Sequence, residues 1–419
     1  MILTSLVDVA TVKPSVEIAD IFRLHFNEYL QTHHCTPEEF AAAKAITKCR
    51  TAAMGGHVRS CDSCGHLQIV YNSCNNRNCP KCGAFEKAQW LANQAARLIP
   101  VPHFQVVFTV DHLVNDLAYV NPQPIYDLLF ATANRALKEF AQRYLGGKVG
   151  VTAVLHTWGQ TMQHHVHLHC MVTGGALVST ATGDVWRSAN SGFLFPVVEL
   201  SAAFRDAFCK GLTRLAKRGV LRFVGLCPDV DVAKLAQKMQ AKKWEVFIGA
   251  PPKEAAVENL LGYFSRYVYR SAISNSRIRK LEDGQVTFAL FNNKERDAEG
   301  QGAKRVMTLC AVEFIRRFLR HVLPFQYKRV RHFGLYAGSK RRLQTVRMLV
   351  GVMVESTQDT PPKLEMGEWL TSLGLEDAMR CPACATGTMR VGDAFAPLGF
   401  LQLWLLLWLG VPILGQEAA

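Results

Sequence analysis

Apolar residues recur at every fourth position near the start of the chain, at Ile18, Phe22, Phe26 and Leu30. That period predicts a helix over residues 15–31. Residues 49–83 have little periodicity and are rich in Cys, Gly and Asn, as in a small module stapled by metal rather than by a core. "KAQWLANQAARLI" then reads as a helix leading out. "HFQVVFTV" (His103 to Val110) and "VGVTAVLHTW" (Val149 to Trp158) are β-rich runs, with the helical pattern "PIYDLLFATANRALKEFAQRYL" between them. A third strand, "QHHVHLHCMV", is closed by "TGG" at Thr173 to Gly175. "VENLLGYFSRYVYRSAI" predicts another helix and "QVTFALF" (Gln285 to Phe291) another strand, while residues 304–347 read as basic and mostly helical. Strand, helix, strand, strand implies an α+β domain around a central antiparallel sheet. The expected organisation is a helical segment over 1–48, a small N-terminal zinc-binding module over 49–98, the sheet domain over 99–292, a basic region over 293–390 and an apolar tail over 391–419.

Composition sharpens this. At 419 residues the chain can fold as two or three domains, and an apolar fraction of 49% is ordinary for a soluble protein. A net charge of +14 points to a polyanionic partner, either nucleic acid or an acidic membrane surface. Thirteen cysteines, an odd number with two-residue spacings, argue against a secreted disulfide framework and for metal ligands in a reducing compartment. The opening "MILTSLVDVATVKPSVE" lacks the basic and apolar regions of a secretory signal, so the expected location is cytoplasmic. The run Pro397 to Gly415 is nearly all apolar but interrupted by Gln402, Gly410 and Pro412 and without basic flanks. It is compatible with a membrane anchor, a buried tail or a read-through end of the gene.

Alternate side chains of a strand share a face. Gln163, His165, His167 and His169 therefore point one way, while Val166, Leu168 and Cys170 point towards a core. Neutral imidazoles in a row are good ligands for a divalent cation, whereas one alone would read as a wet sheet face. If the preceding strand pairs as a hairpin, Gln160 or His156 of "HTWGQ" reaches the same metal. Cys61-x-x-Cys64 and Cys79-x-x-Cys82, fourteen residues apart, have the spacing of a four-cysteine zinc site. Cys49, His57, His66 and Cys74 lie nearby and can exchange into that site or form a second. "CPAC" at Cys381 and Cys384 is half a zinc site with no partners downstream.

Tyr263 and Tyr267 are four apart, on one side of the apolar stripe of their predicted helix, and Arg270 projects on about the same side, where it can hold a phosphate. Lys304 to Arg342 carries eleven Lys or Arg against Glu313 alone. Within it Arg316, Arg317, Arg320, Lys328, Arg329 and Arg331 interleave with Phe325, Tyr327, Phe333 and Tyr336, a composition that suits phosphates and unstacked bases. No G-x-x-x-x-G-K-[ST] loop is present, so no P-loop ATPase is suggested. Together, a cation on imidazoles and a tyrosine nucleophile would cleave a phosphodiester and store its energy in a phosphotyrosine.

"HVHLH" contains the His-hydrophobic-His core of the HUH endonucleases, and "YFSRY" matches their Tyr-x-x-x-Tyr motif. The order of a cysteine-rich module, "HTWGQTMQHHVHLHCMVTGGAL", "YFSRYVYRSAISNSRI" and "VMTLCAVEFIRRFLRHVLP" resembles the rolling-circle transposases of the IS-ninety-one type over about residues 15–388. The resemblance implies an HUH nuclease domain that nicks one strand at an element end, joins its 5′ phosphate to tyrosine and uses Mg²⁺ or Mn²⁺. It implies single-stranded DNA at element ends and target, together with the host replication machinery, as partners. By motif match His167 and His169 are cation ligands and Tyr263 and Tyr267 the nucleophiles. The third ligand is His165 by strand geometry or Gln160 by analogy with HUH replication proteins. Cys61, Cys64, Cys79 and Cys82 match the family's zinc module, with structural Zn²⁺. The apolar tail departs from the family after about residue 390. Rival classes share parts of the pattern: a plasmid replication initiator or relaxase with the same chemistry, a histidine-triad nucleotide hydrolase, and a zinc-dependent DNA-binding protein without catalysis.

Overall fold

The computed structural model describes residues 16–190, 192–251, 272–296, 302–351 and 379–397, together with 399 and 402. In chain order its first elements are α1 (Ile18–Thr32), α2 (Pro37–Lys48), β1 (Gly56–Cys61), β2 (Leu67–Tyr71), α3 (Ala84–Arg97), β3 (His103–Thr109), α4 (Asn115–Val120) and α5 (Pro122–Leu145). Then come β4 (Gly150–Trp158), β5 (His164–Thr173), β6 (Gly175–Thr180), β7 (Gly183–Ser188), α6 (Val197–Lys217), α7 (Val232–Gln240) and β8 (Val246–Gly249). The last are β9 (Ile278–Glu282), β10 (Gln285–Arg296), β11 (Gly302–Cys310), α8 (Ala311–Leu319), β12 (Val330–Gly334), α9 (Lys340–Leu349) and β13 (Met389–Phe395).

The expected α+β architecture is present. Five strands form one sheet in the order β12-β4-β5-β3-β8, every neighbour antiparallel. The alternation read from the sequence sorts its faces. Phe104, Val106, Phe108, Val151, Ala153, Leu155, Val166, Leu168 and Cys170 enter the main core. Against them lies α5, whose Ile125, Leu129, Ala133, Ala136 and Phe140 recur at helical spacing and are buried. Pro122 at its first turn fits the fixed φ there, and Gly146 closes it in the left-handed conformation at φ 72°. From α6, Phe204 tilts onto Phe108 at 4.9 Å between ring centroids. Each such side chain contributes roughly 1.5–3 kcal/mol by leaving water.

The opposite face is covered only in part. Leu98, Ile99, Leu335, Tyr336, Leu343 and Val346 pack over Val154 and Met171 at one end of it. The histidines of β4 and β5 lie towards the other end.

A second core joins distant parts of the chain. Phe22 of α1 meets Phe318 of α8 edge-on at 5.4 Å, and Phe288 of β10 meets Phe314 at 5.8 Å. Thr36 and Glu39 form a capping box that starts α2, with Pro37 beside it.

The basic stretch differs from its expected helical character. Gly302–Cys310 is a strand paired with β10, and Val330–Gly334 is an edge strand of the central sheet, so only α8 and α9 are helical there. Val306, Thr308 and Cys310 alternate with Met307 and Leu309, and that period of two wins once a partner strand takes the backbone hydrogen bonds. The described strands of this stretch, β11, β12 and β13, belong to three different sheets. Among the described residues no helix is long and apolar enough to cross a membrane. Apart from Gly399 and Gln402, the apolar tail beyond Pro397 lies outside the described residues.

Glu313 ties the first turn of α8 to its last. Arg316 Nη2 and Arg317 Nε donate to it at 2.9 and 2.6 Å. Those guanidinium groups, Arg316 first, hold its carboxyl down at about 2 against an ordinary 4.5. This stabilisation is complete above the unfolded carboxylate pKa and is lost as pH falls through the folded one. Glu313→Gln should therefore lower stability by roughly 1–2 kcal/mol at pH 7, with the gap narrowing towards pH 3, as read from denaturant midpoints at both pH values.

Candidate active site and metal centres

Three imidazoles converge on the partly open sheet face. One ligand nitrogen from each of His156, His167 and His169 lies within 4.8 Å of the others. The hairpin pairing of β4 with β5 causes this, because its register sets His156 opposite His167 and Val154 opposite His169. The Nε2 atoms of His167 and His169 are 3.1 Å apart. His167 Nδ1 is 2.8 Å from the carbonyl of His165, so that nitrogen carries the proton and donates it. The Nε2 lone pair is then free for a cation. Gln105 of β3 reaches His169 Nδ1 at 3.5 Å, and the His156 ring stacks on Trp158 at 4.8 Å. Burial pushes His167 down to about 4 and His169 to about 3, with neighbouring imidazoles adding to the shift. Both shifts suit a ligand role, since a neutral imidazole is the binding form.

Two expected ligands are not in this cluster. The ladder slips between His156 and Trp158, which pair with His167 and His164, so β5 carries one more residue than β4 across that step. His165 keeps the face of His167, with ring centroids 4.9 Å apart, but its ring nitrogens are not among the three that cluster, and its carbonyl accepts from His167 Nδ1. Gln160 sits in the connecting turn, exposed, where its own carbonyl accepts from Arg277 at 2.7 Å. His156 takes the third place.

The cysteines also group differently from the expected Cys61, Cys64, Cys79 and Cys82. One quartet is Cys49, Cys74, Cys79 and Cys82; the other is Cys61, Cys64, Cys381 and Cys384. β1 pairs with β13, and Cys61 stands opposite Met389, so the "CPAC" turn is carried onto the "CDSC" turn. The two turns match. Ser63 and Cys64 N–H groups donate to Cys61 Sγ at 3.4 Å, Ala383 N–H donates to Cys381 Sγ at 3.4 Å, and Gly387 N–H donates to Cys384 Sγ at 3.3 Å. Such donors favour thiolate, and the Thr386 hydroxyl together with the Gly387 N–H lowers Cys384 to about 6. A side chain at Gly387 would collide with Cys61 Sγ. Sulfur–sulfur distances are 3.7 Å for Cys61–Cys384 and Cys64–Cys381, and 3.6 Å for Cys74–Cys82. A tetrahedron with zinc–sulfur bonds of ~2.3 Å has edges of ~3.8 Å. Both quartets fit structural Zn²⁺.

A family model described as "Putative transposase" matches residues 150–343. Another, "Transposase zinc-binding domain", matches residues 21–110, which hold the first quartet and half of the second. "Putative transposase y4qJ" of Sinorhizobium fredii is 37% identical over 388 residues, covering 90% of this chain and 95% of that protein. The chain belongs to the transposases of the IS-ninety-one type. "Transposase for insertion sequence element IS801" of Pseudomonas savastanoi pv. phaseolicola is 26% identical over 349 residues, 81% of each chain. No solved structure matches.

The basic residues of this transposase are less available than their run suggested. Arg316 and Arg317 are held by Glu313, Arg331 pairs with Asp127 beneath the Tyr327 ring, and Arg320 lies over Tyr119 at 4.8 Å and 3.5 Å from Asp116. Arg329 stacks on Trp158 at 5.1 Å, and its burial lowers it to about 10. Of the aromatic residues, Tyr327 and Tyr336 are core, and Phe325 is 63% exposed. Lys328 is exposed, with no ion pair among the described residues. Tyr263, Tyr267 and Arg270 lie outside the described residues.

Two measurements check these centres. The purified transposase should carry two zinc ions per chain by elemental analysis, and Cys381→Ser with Cys384→Ser should leave one. Titrated with Mn²⁺, His156→Ala should lose affinity about as severely as His167→Ala, on the order of a hundredfold, while Gln160→Ala stays near the parent. Equal losses at Gln160 and His156 would overturn the ligand set.

Proposed function

We propose that this transposase nicks one DNA strand and transfers it through tyrosine, with Mg²⁺ or Mn²⁺ held by His156, His167 and His169. The observation that carries the reading is the pair of Nε2 atoms 3.1 Å apart, with His156 beside them, in a chain of a transposase family. Three ring nitrogens gathered within 4.8 Å suit a shared cation better than a histidine nucleophile, and burial, by depressing the basicity of His167 and His169, keeps those two rings from acting as proton carriers near neutrality. When bound, the cation supplies charge neutralisation at a non-bridging phosphate oxygen.

Tyr263 and Tyr267 are the nucleophiles in this reading, on their sequence spacing. A tyrosine oxygen forms a bond to phosphorus while the bond from phosphorus to the 3′ oxygen breaks. The phenol proton passes to solvent, and the departing oxygen takes up a proton. The products are a 5′-phosphotyrosine and a free 3′ hydroxyl. Phosphodiester energy is conserved, so rejoining needs no nucleotide hydrolysis. A second tyrosine permits a second cleavage before the first joint is released. Single-stranded element ends are the substrate, and host helicase and polymerase supply the unwinding and synthesis of rolling-circle movement.

Incubated with Mn²⁺ and single-stranded oligonucleotides spanning candidate element ends, the protein should form a covalent band on denaturing gels. The band should weaken in Tyr263→Phe or Tyr267→Phe, vanish in the double variant, and fall at least a hundredfold in His167→Ala. An undiminished adduct in the double variant would remove these tyrosines from the reaction.

A further inference from the structure

A cavity of about 740 Å³ lies between α1–α2, the α4–α5 corner, α8 and the loop after α6. It is separate from the histidine trio, and the reading above gives it no role. Its lining includes two carboxylates, Glu38 and Glu39, the second buried, bonded by the Tyr119 hydroxyl and disfavoured by burial in its charged form; beside them stand three kinds of group that can meet a ligand. Tyr29 is 2% exposed, yet its hydroxyl makes no hydrogen bond among the described residues, and its ring stacks on His33 at 4.8 Å. Arg320 offers five N–H donors and among the described residues uses one, at 3.5 Å to Asp116, while Arg222 at the mouth is exposed and donates to the carbonyl of Val120. Val224 and Leu226 form an apolar lip, 56% and 51% exposed. The floor meets the start of β5, because the lining residue Tyr126 bonds through its hydroxyl to His164 Nε2 at 3.2 Å.

Spare guanidinium donors, a buried phenol hydroxyl and an apolar lip match a phosphate joined to a heteroaromatic ring whose polar edge meets that hydroxyl. The volume suits a small-molecule-sized guest and is far too small for duplex. We propose that this cavity holds one unstacked nucleotide of the single strand bound by the transposase, its phosphate on Arg222 and Arg320 and its base beside Tyr29. This rests on the single-strand reading above and gives the start of β5 a second contact with the same strand. A free nucleotide offers the same chemistry, so the test separates the two sources.

The zinc-loaded Tyr263→Phe/Tyr267→Phe protein serves, because binding is then read without cleavage. Single-stranded oligonucleotides over an element end carry 4-thiothymidine at successive positions, and cross-linked peptides are mapped by mass spectrometry. One position should cross-link to peptides containing Tyr29 or Tyr119–Tyr126. Arg222→Glu with Leu226→Asp, both at the exposed mouth, should weaken single-strand affinity about tenfold by anisotropy at unchanged zinc content. Cross-links confined to other surfaces, or affinity within twofold of the parent, would overturn the proposal. So would deoxynucleoside monophosphates binding as tightly as the oligonucleotide. Adduct formation by the unmutated protein despite such a result would remove only the pocket.

Discussion

The register of β4 against β5 is the constraint on which the candidate active site depends. Pairing His156 with His167 puts three imidazoles within reach of one point, although they come from two strands. A slip by one residue would turn all the side chains of β5 to the other face. That is prevented by Val166, Leu168 and Cys170, which are locked into the main core beneath α5 and α6. Packing on one face thus fixes ligand geometry on the other. The bulge near His164 adds a local adjustment, freeing the His165 carbonyl to orient His167.

Charge has two roles in this chain. Its excess of cations suits a DNA-acting protein. Yet several arginines are bound internally: Arg77 of the cysteine-rich segment donates to the carbonyls of Leu323, Pro324 and Tyr327, and Arg331 lies over the Phe130 and Tyr327 rings. Such groups brace the contact between the cysteine-rich segment and the sheet domain.

Much of this was legible from residues alone where a local rule decides. The alternation "VHLHC" announced which side of β5 is core, and the four-residue spacing of Ile18, Phe22 and Phe26 announced α1. What failed were pairings between distant segments. Nothing local tells Cys61 to prefer Cys384, 323 residues away, over Cys79; the β1–β13 ladder does. His156 was visible as one of two candidates, but only the hairpin register separates it from Gln160. The run from Lys304 read as helix because its charges mask an alternation that needs β10 and β4 as partners.

The Cys64–Cys381 contact closes a loop of 317 residues. Bringing such ends together costs roughly 5 kcal/mol in chain entropy, a sum that a tetrathiolate ion can offset several-fold only once both halves exist. During synthesis the first quartet can fill as soon as Cys82 leaves the ribosome, whereas the second must wait for Cys384, about three hundred residues later. A chain cut short before Cys381 would thus emerge with its Cys61–Cys64 turn half-clasped, and metal loading becomes a record of whether translation passed Cys384.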